Sequence, residues 1–347
     1  MSGIKENNDL TQLGEFGLVR LLTEKIKLRN SSTKTGVGDD AAVLEMGNKM
    51  TVVTTDMLTE GIHFDLIYTP LKHLGYKSVV VNLSDIYAMN AIPSQILVSI
   101  AVSAKFTTEM IEEIFEGIHL ACEVYGVDLV GGDTTSSLTG LTISITAIGT
   151  ASAEKLVYRS GARENDLICV TGNLGASFMG LQLLEREKRI FNQTHDVQPD
   201  LSEYDYILER QLKPEARKDI IDLLDKNGIK PTSMIDISDG LSSEITHLCL
   251  ASSMGCRIYA DKIPIADETK VMAEELNLEP VTISLNGGED YELLFTVSLN
   301  DFDKVKTLPE ISVIGHITNK SDGNYLITPD GSFVEIMSLG WNSLRKN

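Results

Sequence analysis

The period of the hydrophobic positions changes several times along the chain, and each change marks an element. Residues 13–28, LGEFGLVRLLTEKIKL, carry apolar side chains at helical spacing. TVVTTDML at 51–58 reads as a strand, and from about Leu71 to Met89 the spacing returns to that of a helix. ILVSIAVS, ending at Ser103, reads as a strand; TTEMIEEIFEGIHLACEVYG (107–126) reads as an amphipathic helix entered through a Thr cap. DLVGGDTT and LTISITAIGT add two more strands. YRSGARENDL, polar and glycine-containing, reads as a junction. After it LICVTG, NLGASFMGLQLLERE, MIDISDG, LSSEITHLCLASS, RIYADKIPI, DYELLFTVS and SVIGHIT again alternate strand and helix. The pattern predicts two α/β domains, residues 1–152 and 153–347, each a sheet with helices packed on one face.

Composition narrows the class of function. The chain has 347 residues, 42% hydrophobic and 23% charged, which suits a folded globular protein. Acids outnumber bases 50 to 30, a formal charge of −20. Such a balance argues against a nucleic-acid or anionic-membrane surface, because phosphate backbones attract basic patches. A phosphorylated substrate remains compatible where metal ions bridge the two negative partners. The opening MSGIKENNDLTQLG has no apolar core of signal-peptide length, and Cys122, Cys169, Cys249 and Cys256 form no CxxC pair. Buried thiols and a cytoplasmic location are the expectations.

The chemistry lies in the acids. Asp39 and Asp40 in GVGDD, Asp56 in TTDML, Asp85 in NLSD, Asp133 in GGDTT, and Asp236 and Asp239 in DISDG all sit at element ends beside Gly, Ser or Thr. Short carboxylates with hydroxyl neighbours, on a backbone that can approach closely, supply the oxygen ligands Mg²⁺ prefers. Each alone is equally a turn or a helix cap. Two unit charges about 5 Å apart at an effective dielectric near 20 repel by roughly 3 kcal/mol. Several converging aspartates would therefore oppose a large share of a domain's stability, about 5–15 kcal/mol, unless cations neutralise them. No Walker loop, GxGxxG, HExxH or GxSxG precedes a helix here. The loop TGNLGAS (171–177) either presents amides to an anion or is simply a tight connection.

Read in order, GVGDDAAVL, TTDMLTEGIHF, KSVVVNLSDIYAMNAIP, DLVGGDTT, YRSGARENDL, IDISDGL and LNGGEDYELLFTV resemble the thiamine-monophosphate kinase family. GGDT and DISDG also recur in its superfamily, with aminoimidazole ribonucleotide synthetase, selenophosphate synthetase and a carbamoyl-dehydrating hydrogenase maturation factor. The resemblance implies an α/β (α+β) fold, the two-domain fold of the aminoimidazole ribonucleotide synthetase-like superfamily. In it the N-terminal sheet pairs with a second subunit and a C-terminal α/β domain packs beside it. It implies a homodimer that uses ATP, several Mg²⁺ ions and thiamine monophosphate, making thiamine diphosphate by direct transfer in the last step of that cofactor's synthesis. By resemblance, Asp40, Thr54, Thr55, Asp56, Asp85, Asp133, Asp236 and Asp239 hold metal, with Asp39 beside them. Gly132, Asp133, Arg159 and Ser238 contact ATP, and His63, Glu289 and Trp341 contact the thiamine substrate. The alternatives are another ATP-using member of the superfamily, or a non-catalytic acidic protein that binds Ca²⁺. The N-terminal stretch lacks the reactive cysteine of the selenium enzyme, and SLRKN lacks the C-terminal cysteine of the dehydratase.

Overall fold

The computed structural model describes residues 19, 22–24, 26, 28–194 and 201–337, so most of the predicted helix at 13–28 lies outside the described residues. The first sheet contains β1 (Thr33–Thr35), β2 (Ala42–Met46), β3 (Lys49–Thr59), β4 (Ile92–Ser103), β5 (Asp128–Ser137) and β6 (Thr142–Ala151), in the order β1-β2-β3-β6-β4-β5. β4 and β5 run parallel; the other pairs are antiparallel. β6 shows why this sheet forms: Ile143, Ile145 and Ala147 alternate inward, as period two requires of a strand with one face in the core. β5 stands at the edge and is exposed along most of its length.

Helix α1 (Leu71–Ala88) lies against β3, β4 and β6, and α2 (Thr108–Tyr125) packs along α1. The predicted Thr cap is present, with Thr107 accepting from the Met110 N–H at 3.4 Å, and Gly126 ends α2 in the left-handed conformation. α1 is buried on nearly every side, as expected of a helix whose apolar residues encircle it. Its far side meets the second sheet at β8.

That second sheet comprises β7 (Leu167–Thr171), β8 (Ser233–Asp236), β9 (Met254–Tyr259), β10 (Leu293–Val297), β11 (Ile311–Asn319), β12 (Asn324–Ile327) and β13 (Phe333–Glu335), ordered β13-β12-β9-β11-β7-β10-β8. Around it lie α3 (Ala176–Thr194), α4 (Asp205–Leu212), α5 (Lys218–Lys226) and α6 (Leu241–Ser252). Its central strands are covered on both faces, where the sequence pattern suggested one. Cys169, Met234 and Phe295 face a core shared with Ile220 and Leu224 of α5, while Ile168, Val170, Ile235 and Leu294 face Leu241, Ile245 and Leu248 of α6. Unbroken apolar runs such as LICV and LLF are the sequence form of such doubly covered strands. The shared core runs without interruption from Val52 and Ile145 through Val79 and Leu83 of α1 to Phe295.

Cys169, Cys249 and Cys256 are buried and Cys122 is half-buried, all unpaired. Among the described residues no helix is long and apolar enough to cross a membrane.

The close approach of α1 and α2 depends on two glycines. A Cβ on Gly117 would stand 1.9 Å from the Lys72 carbonyl oxygen, and one on Gly75 equally close to that of Ile114. Gly117→Ala should therefore destabilise by about 1–3 kcal/mol in urea unfolding, because forced separation of the helices outweighs the gain in helix propensity. Gly131→Ala, with nothing within 4 Å of the added carbon, should stay within about 0.5 kcal/mol. Equal effects of the two changes would refute this account of the contact.

Candidate active site: a carboxylate cluster where the two sheets meet

Four segments deliver acids to one place. β3 carries Thr54, Thr55 and Asp56; the turn before β2 carries Asp39 and Asp40; α1 carries Asp85; and β8 ends on Asp236. Single oxygens of Asp40, Asp85 and Asp236 all lie within 4.8 Å of one another. Around them the chain has arranged donors. Thr54 Oγ1 donates to Asp85 Oδ2 at 2.6 Å, and Ser84 Oγ donates to Asp236 Oδ2 at 2.6 Å. Arg159 Nη2 donates to Asp40 Oδ1 at 2.7 Å, while its backbone N–H donates to Asp39 Oδ1 at 3.1 Å. Asn82 Oδ1 accepts the Asp56 N–H at 2.9 Å and fixes that strand to α1. Thr55 Oγ1 is turned to the Ile145 carbonyl at 3.0 Å.

These donors do not offset the crowding. Burial, with the charge of Asp40 next, pushes Asp39 up to about 6 and Asp236 up to about 7. Burial alone raises Asp56 to about 6. Asp85 stands well above the ordinary carboxylate range, from burial first and then the charges of Asp56, Asp236 and Asp40. Asp40 is also raised by burial, against the pull of Arg159. Its Oδ2 is buried without a hydrogen-bond partner among the described residues. An orphaned buried carboxylate oxygen within a set of hard oxygen donors fits a hard divalent cation such as Mg²⁺.

Other expected residues surround this group without joining it. Gly132 and Asp133 lie on the exposed strand β5, in register with Val98 and Ser99 of β4. Gly132 has no room for a side chain, since a Cβ would stand 1.8 Å from the Val98 carbonyl oxygen. The Asp239 N–H donates to Glu244 Oε1 at 3.1 Å. Glu244 is buried, burial raises its pKa well above the usual range, and its Oε2 is unpartnered among the described residues. Ser238 gives its carbonyl to the Glu289 N–H at 2.7 Å. Glu289 and Tyr291 both adopt positive φ, 63° and 51°, in the turn that follows Gly288. Glu289 Oε2 accepts from Lys77 Nζ and from Gln211 Nε2, each at 3.1 Å.

His63 lies in the loop after β3, its Nδ1 accepting the Thr59 N–H at 3.0 Å. That loop is tied to α3 by Tyr68, which donates to Glu185 at 2.8 Å, and by the Asp65–Lys188 ion pair at 2.7 Å. In the 171–177 loop the Gly175 N–H goes to buried Asp290 Oδ2 at 2.7 Å, so an internal carboxylate takes that amide. Trp341 lies outside the described residues. Clefts of about 440 Å³ beside Tyr259 and Phe302, and about 690 Å³ beside Ile265 and Pro280, contain none of the cluster's acids, and of the 171–177 loop only Asn173 lines the second.

Sequence reading passed over Lys77, Asn82, Ser84 and Glu244. The available signal was polarity inside runs otherwise apolar enough to be buried: KSVVVNLSDI in α1 and LSSEI in α6.

Two family models match the chain: AIR synthase related protein, N-terminal domain, over residues 38–151, and AIR synthase related protein, C-terminal domain, over residues 163–327. The fold and the acidic cluster thus define a two-domain protein of the AIR synthase related class. Thiamine-monophosphate kinase of Bacillus subtilis (strain 168) is 33% identical over 340 residues, covering 96% of this chain and 100% of that protein. That of Aquifex aeolicus (strain VF5) is 35% identical over 288 residues, covering 83% and 87%. The chain belongs to the thiamine-monophosphate kinase family. The solved structure of AaThiL complexed with AMPPCP and TMP superposes with a TM-score of 0.82 at 31% identity, covering 98% of this chain and 99% of that one. E. coli HypE, a hydrogenase maturation protein, shares the fold at 16% identity and a TM-score of 0.67, over 85% of this chain and 88% of its own.

The raised carboxylates set the pH behaviour of the metal-free protein. Their folded pKa values, about 6 for Asp39 and Asp56 and about 7 for Asp236, exceed the unfolded value near 3.9. The folded state therefore binds more protons between about pH 4 and 7, and this stability is lost as pH rises through that window. Melting in chelator should show that fall, and Mg²⁺ should flatten it. In the same series at pH 7.5 or so, Asp85→Asn should melt no lower than wild type without metal, because it removes a repelled charge. A clearly lower melting temperature for the variant would contradict the repulsion argument.

Proposed function

We propose that the chain transfers the terminal phosphoryl group of ATP to thiamine monophosphate, yielding ADP and thiamine diphosphate, the last step in making that cofactor. The observation that carries this reading is the convergence of Asp40, Asp85 and Asp236 beside the Arg159 guanidinium. The acceptor is already an anionic phosphate, so no side chain must take a proton to create a nucleophile. An acceptor oxygen bonds to the γ-phosphorus as the bond to the β–γ bridging oxygen breaks, and that electron pair leaves with ADP. No phosphoenzyme is needed. The obstacle is the approach of two anions, and catalysis of such transfers is chiefly positioning and charge neutralisation.

Asp40, Asp85 and Asp236, with Thr54 and Asp56 beside them, are the residues that would hold Mg²⁺, while Thr55, Asp133 and Asp239 are assigned to it by the family resemblance alone. When bound, Mg²⁺ supplies the positive charge that lets triphosphate and monophosphate come together. Arg159, permanently charged and seated on Asp40, adds a fixed cation toward the ATP phosphates. Gly132 offers backbone with no side chain in front of it, and Ser238 completes the nucleotide contacts. His63 and Glu289 receive the thiamine moiety, with Trp341 offering an aromatic face to its cationic ring, worth about 0.5–2 kcal/mol.

A homodimer built through the first sheet belongs to the same reading. β5 is a ten-residue edge strand with Val130 57% exposed, and unpaired edges of that length invite pairing. Its four unpaired cysteines suit a reducing compartment, the cytoplasm.

With Mg²⁺ and ATP, ADP should appear when thiamine monophosphate is supplied and not with free thiamine or an aminoimidazole precursor. ADP release that ignores thiamine monophosphate would reject the function. Sedimentation of the active enzyme at the mass of one 38.0 kDa chain would reject the dimer.

A further inference from the structure

One cation in the molecule is buried in a place that no part of the metal cluster explains. Lys77 lies in the middle of α1 with its side chain 5% exposed, the one cation among the residues that helix buries. Burying an ammonium is costly unless it is paired and hydrogen-bonded. Lys77 Nζ has two partners: the Gln211 carbonyl oxygen at 2.9 Å and Glu289 Oε2 at 3.1 Å. Gln211 then closes a triangle, its Nε2 donating to the same Glu289 Oε2 at 3.1 Å while its Oε1 accepts from Ser177 Oγ at 2.5 Å. Both donors fall on one carboxylate oxygen, and Glu289 Oε1 has no hydrogen-bond partner among the described residues.

The backbone there is equally constrained. Glu289 holds φ at +63°, a conformation side chains seldom adopt, and its N–H is bound to Ser238 beside the acidic cluster. On α1, Lys77 precedes Ser84 by seven residues, two helical turns, so both project from the same side. Ser84 holds Asp236, and its neighbour Asp85 belongs to the carboxylate trio. A single helix face thus touches the metal-side carboxylates at one end and the acceptor-side carboxylate at the other.

On the reading above, in which Glu289 contacts thiamine monophosphate, we infer that Lys77 is a positioning residue for the acceptor. It clamps Oε2 of Glu289 so that Oε1 faces the substrate, and it holds that oxygen at a fixed distance along α1 from Asp85 and Asp236. Lys77 touches no reacting atom. Its effect passes through Glu289 and is confined to the acceptor.

Steady-state kinetics on the full chain tests this with Lys77→Met, Glu289→Gln and the double variant. Lys77→Met should raise KM for thiamine monophosphate about tenfold, the loss of one charge-assisted hydrogen bond, and leave KM for ATP within about twofold. In the Glu289→Gln background the same change should add less than about twofold, because its target is already impaired. Lys77→Gln, which keeps a donor but not the charge, is read in its place if Lys77→Met does not fold. Effects that multiply in the double variant, an equal rise in both KM values, or an unchanged acceptor KM would overturn the role. So would failure of both Lys77 variants to fold, which would make the residue structural. Absence of turnover in the wild type is a separate result: it rejects the phosphotransferase reading, and the acceptor role falls with it.

Discussion

Repulsion among buried carboxylates is the constraint to which the rest of the molecule answers. Asp40, Asp85 and Asp236 come from three elements, and Asp39 and Asp56 add their charges nearby. At roughly 3 kcal/mol per close pair, the cluster opposes folding by an amount comparable with a domain's whole net stability. The hydrogen bonds from Thr54, Ser84 and Arg159 offset between about half and nearly all of this, since charge-assisted bonds contribute about 1.5–3 kcal/mol each. Apolar burial must supply the remainder. The continuous core from Val52 to Phe295 therefore has a functional meaning: it forces together groups that would otherwise separate. Any ligand that binds only the folded cluster is rewarded by mass action, which makes cation affinity and fold stability two sides of one equilibrium.

The arrangement concentrates on α1. An interior helix ordinarily carries nothing but apolar side chains, yet this one buries Lys77, Asn82 and Ser84 and half-buries Asp85. Each of the four is hydrogen-bonded to a partner outside the helix: Glu289, Asp56, Asp236 and Thr54. Satisfied in this way, buried polar groups cost little and fix register closely. The apolar residues between them anchor the helix to β3, β4 and β6 on one side and to the second sheet on the other.

Much of this was legible beforehand. Period-two and helical spacing mark β3, β4, α2 and β6, which bury regular faces, nearly continuous apolar character marks α1 and β7, and the acids beside Gly, Ser and Thr mark the cluster. What escaped depended on distant partners. Nothing local reveals that Lys77 meets Glu289 across 212 positions, or that Gly175 gives its amide to Asp290 across 115. Nor does anything local in GVGDD reveal that Arg159 sits on Asp40. Coverage of both sheet faces was misjudged because an apolar strand run shows that burial is complete but not what does the burying. Asp133 shares the sequence grammar of the other acids, yet its strand is an exposed edge, a fact of sheet order that spacing does not encode.

Although α1 packs mainly against α2 and the first sheet, its remaining side is covered by the second half at β8. A fragment ending near residue 152 would keep the helix but leave the side that meets β8 bare to water. A fragment beginning there would lose the wall against which Met234 and Phe295 pack. The chain thus reads as two modules that share one core. Swapping or excising either half between relatives would require transplanting the helix's entire surroundings, not merely joining at a permissive seam.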